Sequence, residues 1–263
     1  MQISWFGAAC FKIVSNDCAF FVDPYLSRPE NAQPHLQVDL EDISRGVSRI
    51  FITHGHYDHI LDVPRMAELS GAMIYCSEKV AQALAKLGVD KSLLHISRHG
   101  DLFDFGNYSA GCFHSRHIIF DLPIILRGLL SAFKAQTSMR MLLDYPMGQV
   151  LSWRFTLDGE GNRTIHHFGS AGCTKNELCE LTRLPSPDIL LFPLAGHTDI
   201  CQIATEVVKK LSPRIVIPMH HDDFLPPIST HAIMDISPFF ENMKALKPAI
   251  KVLELPFGET IVI

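Results

Sequence analysis

A short stretch of the chain, Thr53-His54-Gly55-His56-Tyr57-Asp58-His59, is rich in side chains that can bind a metal ion. Imidazole and carboxylate groups are ligands that divalent ions such as zinc favour. Residues two apart in an extended segment point the same way, so His54 and His56 can share one metal. Asp58 and His59 follow and can face a second metal. The stretch comes after residues 49–52, which predict a buried strand, and strand ends carry functional loops.

A second loop of the same kind follows another apolar strand, predicted over residues 214–218. It reads Met219-His220-His221-Asp222-Asp223, so two histidines and two aspartates stand together at a strand end. The two loops together predict a metal centre assembled from distant parts of the chain.

The pattern His54-x-His56-x-Asp58-His59 after an apolar strand resembles the signature of the metallo-β-lactamase superfamily. The nearest branch is that of the metal-dependent hydrolases similar to ascorbate-phosphate lactonase. The chain from Ile3 to Val262 is compatible with that family in order and spacing. The resemblance implies an α/β (α+β) fold, a four-layer αββα sandwich of two mixed β-sheets flanked by helices, in one domain over residues 1–263. The strand-rich halves, roughly residues 1–120 and 148–263, also suggest two sheets packed face to face.

The resemblance also implies two sets of ligands. Metal one would be bound by His54, His56 and a histidine near residue 117, and metal two by Asp58, His59 and His220. His117 is preferred for the third imidazole because Arg-His followed by apolar residues and an aspartate is similar to a sub-branch of the family. His114 remains the alternative. Asp58 is also the candidate catalytic residue that orients or deprotonates a water.

One position departs from the family pattern. Most members have a metal-bridging aspartate after the glycine that corresponds to Gly169, and this chain has Ser170. A neutral hydroxyl is a poor ligand beside two dications. The sequence therefore leaves three alternatives open: a weakly bound second metal, a single metal, or a replacement acid such as Asp222 or Asp223, either of which could instead orient a histidine.

Further candidates surround these ligands. Asp23, at the end of a predicted strand, is expected either to accept a hydrogen bond from a ligand imidazole or to serve as a turn residue before Pro24. His197 is a candidate metal or substrate contact, with an ordinary loop histidine as the alternative. A helical insertion at about residues 118–147 can roof the site, pack into the core or form a dimer contact. Its Arg127 and Arg140 are candidates for binding an anionic substrate.

Composition limits the class of protein. The chain has 263 residues, of which 47% are hydrophobic and 19% charged, with a net charge of −5. These values predict a globular protein with a large core, and they count against a general nucleic-acid binder or an RNA-processing nuclease. The N-terminus is typical of a strand and not of a signal peptide, and charged residues interrupt the longest apolar region, so we expect no membrane segment. Seven scattered cysteines favour a reducing, cytoplasmic location.

These features predict a hydrolase that uses one or two divalent ions, zinc first, with manganese or iron as alternatives. A metal-bound hydroxide would attack a lactone, ester, amide or phosphodiester of a small-molecule substrate. The alternative is a metal-binding protein, either a sensor or a di-iron redox protein, with little hydrolytic turnover. A homo-oligomer is compatible with the sequence.

Overall fold

Two β-sheets pack face to face in the computed structural model, which describes residues 1–15, 18–126, 144–158, 162–226, 235–246 and 250–263. Within these residues each sheet has seven strands. Helices cover the outer face of each sheet, as the clusters of buried side chains show. The αββα sandwich expected from the sequence is confirmed.

The first sheet begins with an antiparallel meander of three strands and continues with parallel strands. The last strand of the chain returns to this sheet and pairs with the first. In spatial order the sheet contains β14 (Thr260–Val262), β1 (Gln2–Trp5), β2 (Phe11–Ser15), β3 (Cys18–Val22), β4 (Val47–Phe51), β5 (Met73–Cys76) and β6 (Leu94–Ile96).

The second sheet is antiparallel at one side and parallel at the other. The loops that contain Ser170 and His220 follow parallel strands of this sheet. In spatial order the sheet contains β13 (Lys251–Val252), β12 (Ile215–Met219), β11 (Ile189–Pro193), β10 (Arg163–Phe168), β9 (Leu151–Leu157), β8 (Tyr108–His114) and β7 (Leu102–Asp104).

Local sequence signals set several helix boundaries. One helix ends at Gly71, which adopts a left-handed backbone with φ of 67°. Another begins at Thr174, which exchanges hydrogen bonds with Glu177 in a capping box. Within the described residues the labelled helices are α1 (Leu40–Ser44), α2 (Tyr57–Ile60), α3 (Val63–Ser70), α4 (Glu78–Lys86), α5 (Lys175–Leu181), α6 (Ile200–Leu211) and α7 (Ser237–Ala245), with a 3-10 turn at Lys91–Leu93.

The main core lies between the two sheets. In β9 every second residue is buried there: Leu151, Trp153, Phe155 and Leu157. This spacing of two places alternate side chains on one face of a strand. Trp153 also donates its indole N–H to the carbonyl oxygen of Ile52, 3.0 Å away, and so ties the core to the end of β4.

The division of the chain between the sheets differs from the expected halves. Strands β7 and β8, although they precede residue 120, belong to the second sheet, and β14 closes the first sheet. The reason is that strand pairing depends on long-range contacts that local hydrophobicity does not encode. Residues 122–126 of the expected insertion are helical. Arg127 and Arg140 lie outside the described residues, so their role and that of a roof stay predictions.

Among the described residues, no helix has the length and apolar character needed to cross a membrane.

Candidate metal centre

Three imidazoles converge from two loops. His54 and His56 follow β4, and His117 follows β8, and their nearest ligand atoms all lie within 4.8 Å of one another. His54 Nε2 and His56 Nδ1 are 3.1 Å apart. Two nitrogens bound to one tetrahedral zinc are separated by about 3.3 Å, given zinc–nitrogen bonds of about 2.0 Å. We call this group the three-histidine cluster, and its spacing fits a single divalent ion.

A second group, the Asp58 cluster, contains Asp58, His59 and His220. Asp58 and His59 lie in α2, and His220 follows β12. The Asp58 Oδ2 atom is 3.4 Å from His59 Nε2 and 3.1 Å from His220 Nε2. The ring centroids of His54 and His59 are 3.9 Å apart, so the two clusters adjoin and could hold two neighbouring ions.

Backbone hydrogen bonds fix the loop that supplies most of these groups. The carbonyl oxygen of Thr53 accepts the N–H of Leu151, and the N–H of Gly55 donates to the carbonyl oxygen of Met147, at 2.8 and 2.9 Å. A Cβ added to Gly55 would lie 2.3 Å from the carbonyl oxygen of Pro146. Glycine between His54 and His56 therefore permits a close approach of two backbones, and this approach holds the loop in place.

Asp23 and Thr53 set the orientation of two imidazoles. Asp23 accepts hydrogen bonds from the Thr53 N–H at 2.7 Å, the Thr53 hydroxyl at 2.6 Å and His59 Nδ1 at 2.8 Å. Because the Thr53 hydroxyl donates to Asp23, its oxygen accepts from His54 Nδ1, 3.1 Å away. Both Nδ1 atoms therefore carry hydrogen, and Nε2 is the ring atom of His54 and of His59 that remains for a metal. The sequence pattern does not identify Thr53 as a supporting residue, although it directly precedes the first histidine.

The pKa values of the three-histidine cluster favour neutral rings. Burial, with the neighbouring histidines, lowers the pKa of His54 well below its ordinary value. Burial lowers the pKa of His56 to about 4 despite the opposing effect of Asp58, and burial also lowers that of His117. Neutral imidazoles are the form that binds metal, so this cluster needs no deprotonation near neutral pH.

The Asp58 cluster has the opposite electrostatics. Burial alone would raise the pKa of Asp58, but His59 and His220 outweigh it and hold that pKa well below its ordinary range. Burial lowers the pKa of His59, but Asp58 and Asp23 together raise it to about 10. The two carboxylates thus stabilise positive charge at this point, and a divalent cation can replace the proton.

A family model described as the beta-lactamase superfamily domain matches residues 19–221. The chain belongs to this superfamily. A metal-dependent hydrolase of Chelativorans sp. (strain BNC1) is 24% identical over 263 residues, with 99% of each chain covered. A second metal-dependent hydrolase, of Carboxydothermus hydrogenoformans, is 26% identical over 267 residues, with 100% of each chain covered.

Solved structures share the fold of this superfamily member. Igni18, described as a metallo hydrolase from the archaeon Ignicoccus hospitalis, has a TM-score of 0.72 at 21% identity, with 99% of this chain and 97% of that chain covered. An isothiocyanate hydrolase from Delia radicum gut bacteria has a TM-score of 0.70 at 17% identity, with 100% and 99% covered. The metallo-β-lactamase fold expected from the sequence is confirmed.

Of the two histidines proposed as the third imidazole in this superfamily member, the structure brings His117 into the cluster. His117 Nδ1 donates to the carbonyl oxygen of Ile118 at 2.8 Å, which leaves its Nε2 lone pair free. His114, the last residue of β8, is exposed and its Nδ1 contacts the Gln149 amide, 2.8 Å away. Its role as an alternative ligand is therefore not supported by this arrangement.

Ser170 supports the loop of His117. Its hydroxyl accepts the N–H of Ile118 at 2.9 Å. A Cβ on Gly172 would lie 2.2 Å from the His117 carbonyl oxygen, so glycine is needed for this approach. Among the described residues, Asp58 supplies the only carboxylate of either cluster. At the position of the bridging aspartate expected from the resemblance, this chain has Ser170, whose hydroxyl holds the loop of His117.

The other candidates lie outside the two clusters. Asp222 is paired with Arg28, 2.8 Å away, and so does not replace the bridging acid. Asp223 joins Gln33 through two backbone hydrogen bonds of 2.8 and 2.9 Å. His197 accepts the N–H of Asp199 at 3.0 Å and is 3.8 Å from an oxygen of Asp121.

The two adjacent histidines of β10 are both buried and lie outside the clusters. His166 contacts the Ser152 hydroxyl, and His167 donates to the Ala9 carbonyl oxygen.

We expect Asp23→Asn to weaken metal binding by the Asp58 cluster about 10- to 100-fold, the usual effect of removing a carboxylate that supports a ligand histidine. An asparagine has one acceptor oxygen where the aspartate has two, so it cannot accept from both the Thr53 N–H and His59 Nδ1. Competition with a chromophoric chelator measures the dissociation constant. Asp188→Asn is the matched control. Asp188 also accepts hydrogen bonds from a threonine N–H and hydroxyl, but it precedes β11, at the end of that strand away from the two clusters. Equal effects of both variants would contradict the assigned role of Asp23.

Proposed function

We propose that the protein is a metal-dependent hydrolase whose three-histidine cluster and Asp58 cluster each bind a divalent ion. The observation that carries this proposal is the convergence of six ligand groups from loops after β4, β8 and β12, in two adjoining sets. The hydrogen bonds at Nδ1 of His54, His59 and His117 support it, since each leaves Nε2 as the ring atom that can face a metal. In His59 the cation would replace a proton. The names of the full-length relatives are consistent with this activity.

Ions bound there would supply Lewis acidity toward a carbonyl or phosphoryl oxygen and would acidify a water. The chain's own residues supply the remaining functions. The imidazoles of the three-histidine cluster bind without losing a proton. Asp58 is a carboxylate at neutral pH because His59 and His220 stabilise its charge, so it can orient an attacking water and accept its proton.

The substrate class that fits best is a small lactone, ester, amide or phosphodiester with an apolar group next to the bond that is cleaved. Exposed apolar side chains continue along the chain from His117. The ring of Phe120 is 5.4 Å from that of His117, edge to face. Phe120 is 46% exposed. Four neighbouring apolar side chains are also exposed: Ile119 (82%), Leu122 (66%), Ile125 (43%) and Leu126 (51%). An apolar substrate group beside His117 would cover part of this surface.

The proposal is tested by metal analysis and hydrolysis assays on the same preparation, purified without chelator. We expect up to two divalent ions per chain. We also expect hydrolysis of members of a panel of lactones, esters, amides, isothiocyanates and phosphodiesters, lost on chelation and restored by zinc or manganese. Binding of ions without hydrolysis would favour the second candidate, a metal-binding protein with little turnover, which the serine at position 170 motivates. Absence of bound ions after incubation with zinc would refute the proposal.

Phe120→Ala should raise KM about tenfold for substrates with an apolar group and leave kcat nearly unchanged, because about 1–2 kcal/mol of apolar contact is lost in ground and transition states alike. Matched substrates with and without the apolar group separate this effect from a loss of folding. Leu102→Ala is the control, since Leu102 is 74% exposed on β7 and lies on an edge strand. An unchanged KM in Phe120→Ala would place the apolar group elsewhere.

A further inference from the structure

Arg28 and Asp222 form an ion pair in the interior of the protein. Arg28 Nη2 is 2.8 Å from Asp222 Oδ2, and each side chain is 1% exposed. The ring of Phe257 lies against the guanidinium, with 4.9 Å between the ring centroid and Arg28 Cζ. Neither residue belongs to the three-histidine cluster or the Asp58 cluster.

This pair is poorly compensated for its burial. In the part of the chain that the structure describes, Arg28 Nε and Nη1 are buried without a hydrogen-bond partner. Burying two charges costs desolvation energy that only well-satisfied pairs recover, so such a pair is weak support for overall stability. Its contacts point to a different role.

Asp222 holds the turn between β1 and β2. Both of its carboxylate oxygens accept the N–H of Ala8, at 2.9 and 3.1 Å. Ala8 has a left-handed backbone with φ of 42°, which is strained for a residue with a Cβ. The preceding Gly7 is closely packed, since a Cβ there would lie 2.1 Å from Arg28 Nη1. The ion pair therefore encloses this turn and fixes the direction of its peptide groups.

The same turn contacts the metal centre. The carbonyl oxygen of Ala8 accepts the N–H of His220 at 3.1 Å, and the indole of Trp5 donates to the same oxygen at 2.9 Å. His220 is also left-handed, with φ of 59°. A single backbone hydrogen bond thus joins two strained residues, and one of them supplies the imidazole that faces Asp58. Strain of this kind persists only where surrounding contacts enforce it.

We propose that Arg28 and Asp222 are positioning residues that set His220 in the Asp58 cluster through the Ala8 peptide. The proposal rests on the proposed function, because it assumes that this cluster binds a metal ion. The ion pair orients Ala8, the Ala8 carbonyl oxygen holds the His220 backbone, and the imidazole is then directed toward Asp58. Removal of the pair should weaken the Asp58 cluster and spare the three-histidine cluster.

The test is a stepwise titration of the metal-free full chain with Co²⁺, followed by its visible absorption. His220→Ala identifies the step that belongs to the Asp58 cluster. Two double variants then differ only in the group that faces Ala8: Arg28→Met with Asp222→Asn, and Arg28→Met with Asp222→Leu. Neither leaves an unpaired buried charge, so both should fold, and thermal unfolding of the metal-free forms checks this.

We expect the leucine variant to weaken the Asp58 step about 10- to 100-fold while the other step is unchanged. The asparagine variant, which still offers an oxygen to the Ala8 N–H, should recover most of the affinity. If the leucine variant binds both ions within twofold of wild type, the ion pair is only structural and the inference is overturned. If His220→Ala titrates like wild type, the Asp58 cluster is not a metal site, and the proposed function fails together with the inference.

Discussion

Replacement of His117 by alanine should remove one metal ion per chain and lower kcat at least about 10³-fold, while the protein remains folded. His117 is one of three imidazoles in the three-histidine cluster, and its removal leaves two. The site then loses most of its affinity for the metal, because each ligand contributes several kcal/mol. Its side chain is only partly buried, so its removal leaves no large core cavity. Metal content, thermal unfolding and kcat should be measured on the same sample.

The matched control is His114→Ala, three residues away in the chain. His114 is exposed and bonded to Gln149, so this variant should keep its metal content and kcat within about twofold, as surface substitutions usually do. The reverse result, with metal lost in His114→Ala and kept in His117→Ala, would mean that the third imidazole of the cluster is the other histidine. Full activity in both variants would remove the three-histidine cluster from the mechanism.

Asp58→Asn should have an effect of similar size for a different reason. The substitution preserves shape and removes the only carboxylate that either cluster contains among the described residues. Asparagine neither accepts the proton of an attacking water nor offsets the charge of a cation. We expect kcat to fall about 10³-fold, within the range for loss of a general base, and the ion of the Asp58 cluster to bind more weakly. Steady-state kinetics at saturating metal separate the two effects.

Asp62→Asn is the corresponding control. Asp62 is also buried and near the metal loop, but its carboxylate accepts the backbone N–H groups of Leu26 and Ser27. An asparagine carbonyl oxygen can still accept there. This variant should lose up to about 1–3 kcal/mol of stability and keep its kcat at saturating metal. A fall in kcat as large as that of Asp58→Asn would show that the loss reflects disturbance of the loop and not the chemistry of Asp58.

The sequence by itself was sufficient to predict the sandwich and the six residues now grouped in the clusters, with His117 as a preference over His114. His54, His56, Asp58 and His59 lie within one short segment after a strand, so their proximity follows from local geometry. His220 could be added because it also follows an apolar strand. Parallel strands of one sheet bring their carboxyl ends to one edge. Because β4 and β12 belong to different sheets, His220 meets the loop after β4 only through the packing of one sheet on the other.

Other features needed the tertiary structure. His114 and His117 are both near the end of β8, and the sequence only favoured one of them. The path of the chain after β8 depends on contacts with Ser170 and Gly172, more than fifty residues away in sequence. Pairings over such distances follow from the packing of whole sheets.

The two acids after His220 illustrate the same limit. The sequence offered Asp222 as a replacement bridging ligand or as a residue that orients a histidine, since both uses suit a carboxylate in a ligand-rich loop. In the structure Asp222 faces Ala8, in the turn between β1 and β2, and Arg28, in the loop after β3. The sequence determined which chemical groups stand at the strand ends. Only the packing of one sheet on the other decided which partner each group faces, because a buried charge takes its role from the atoms that surround it.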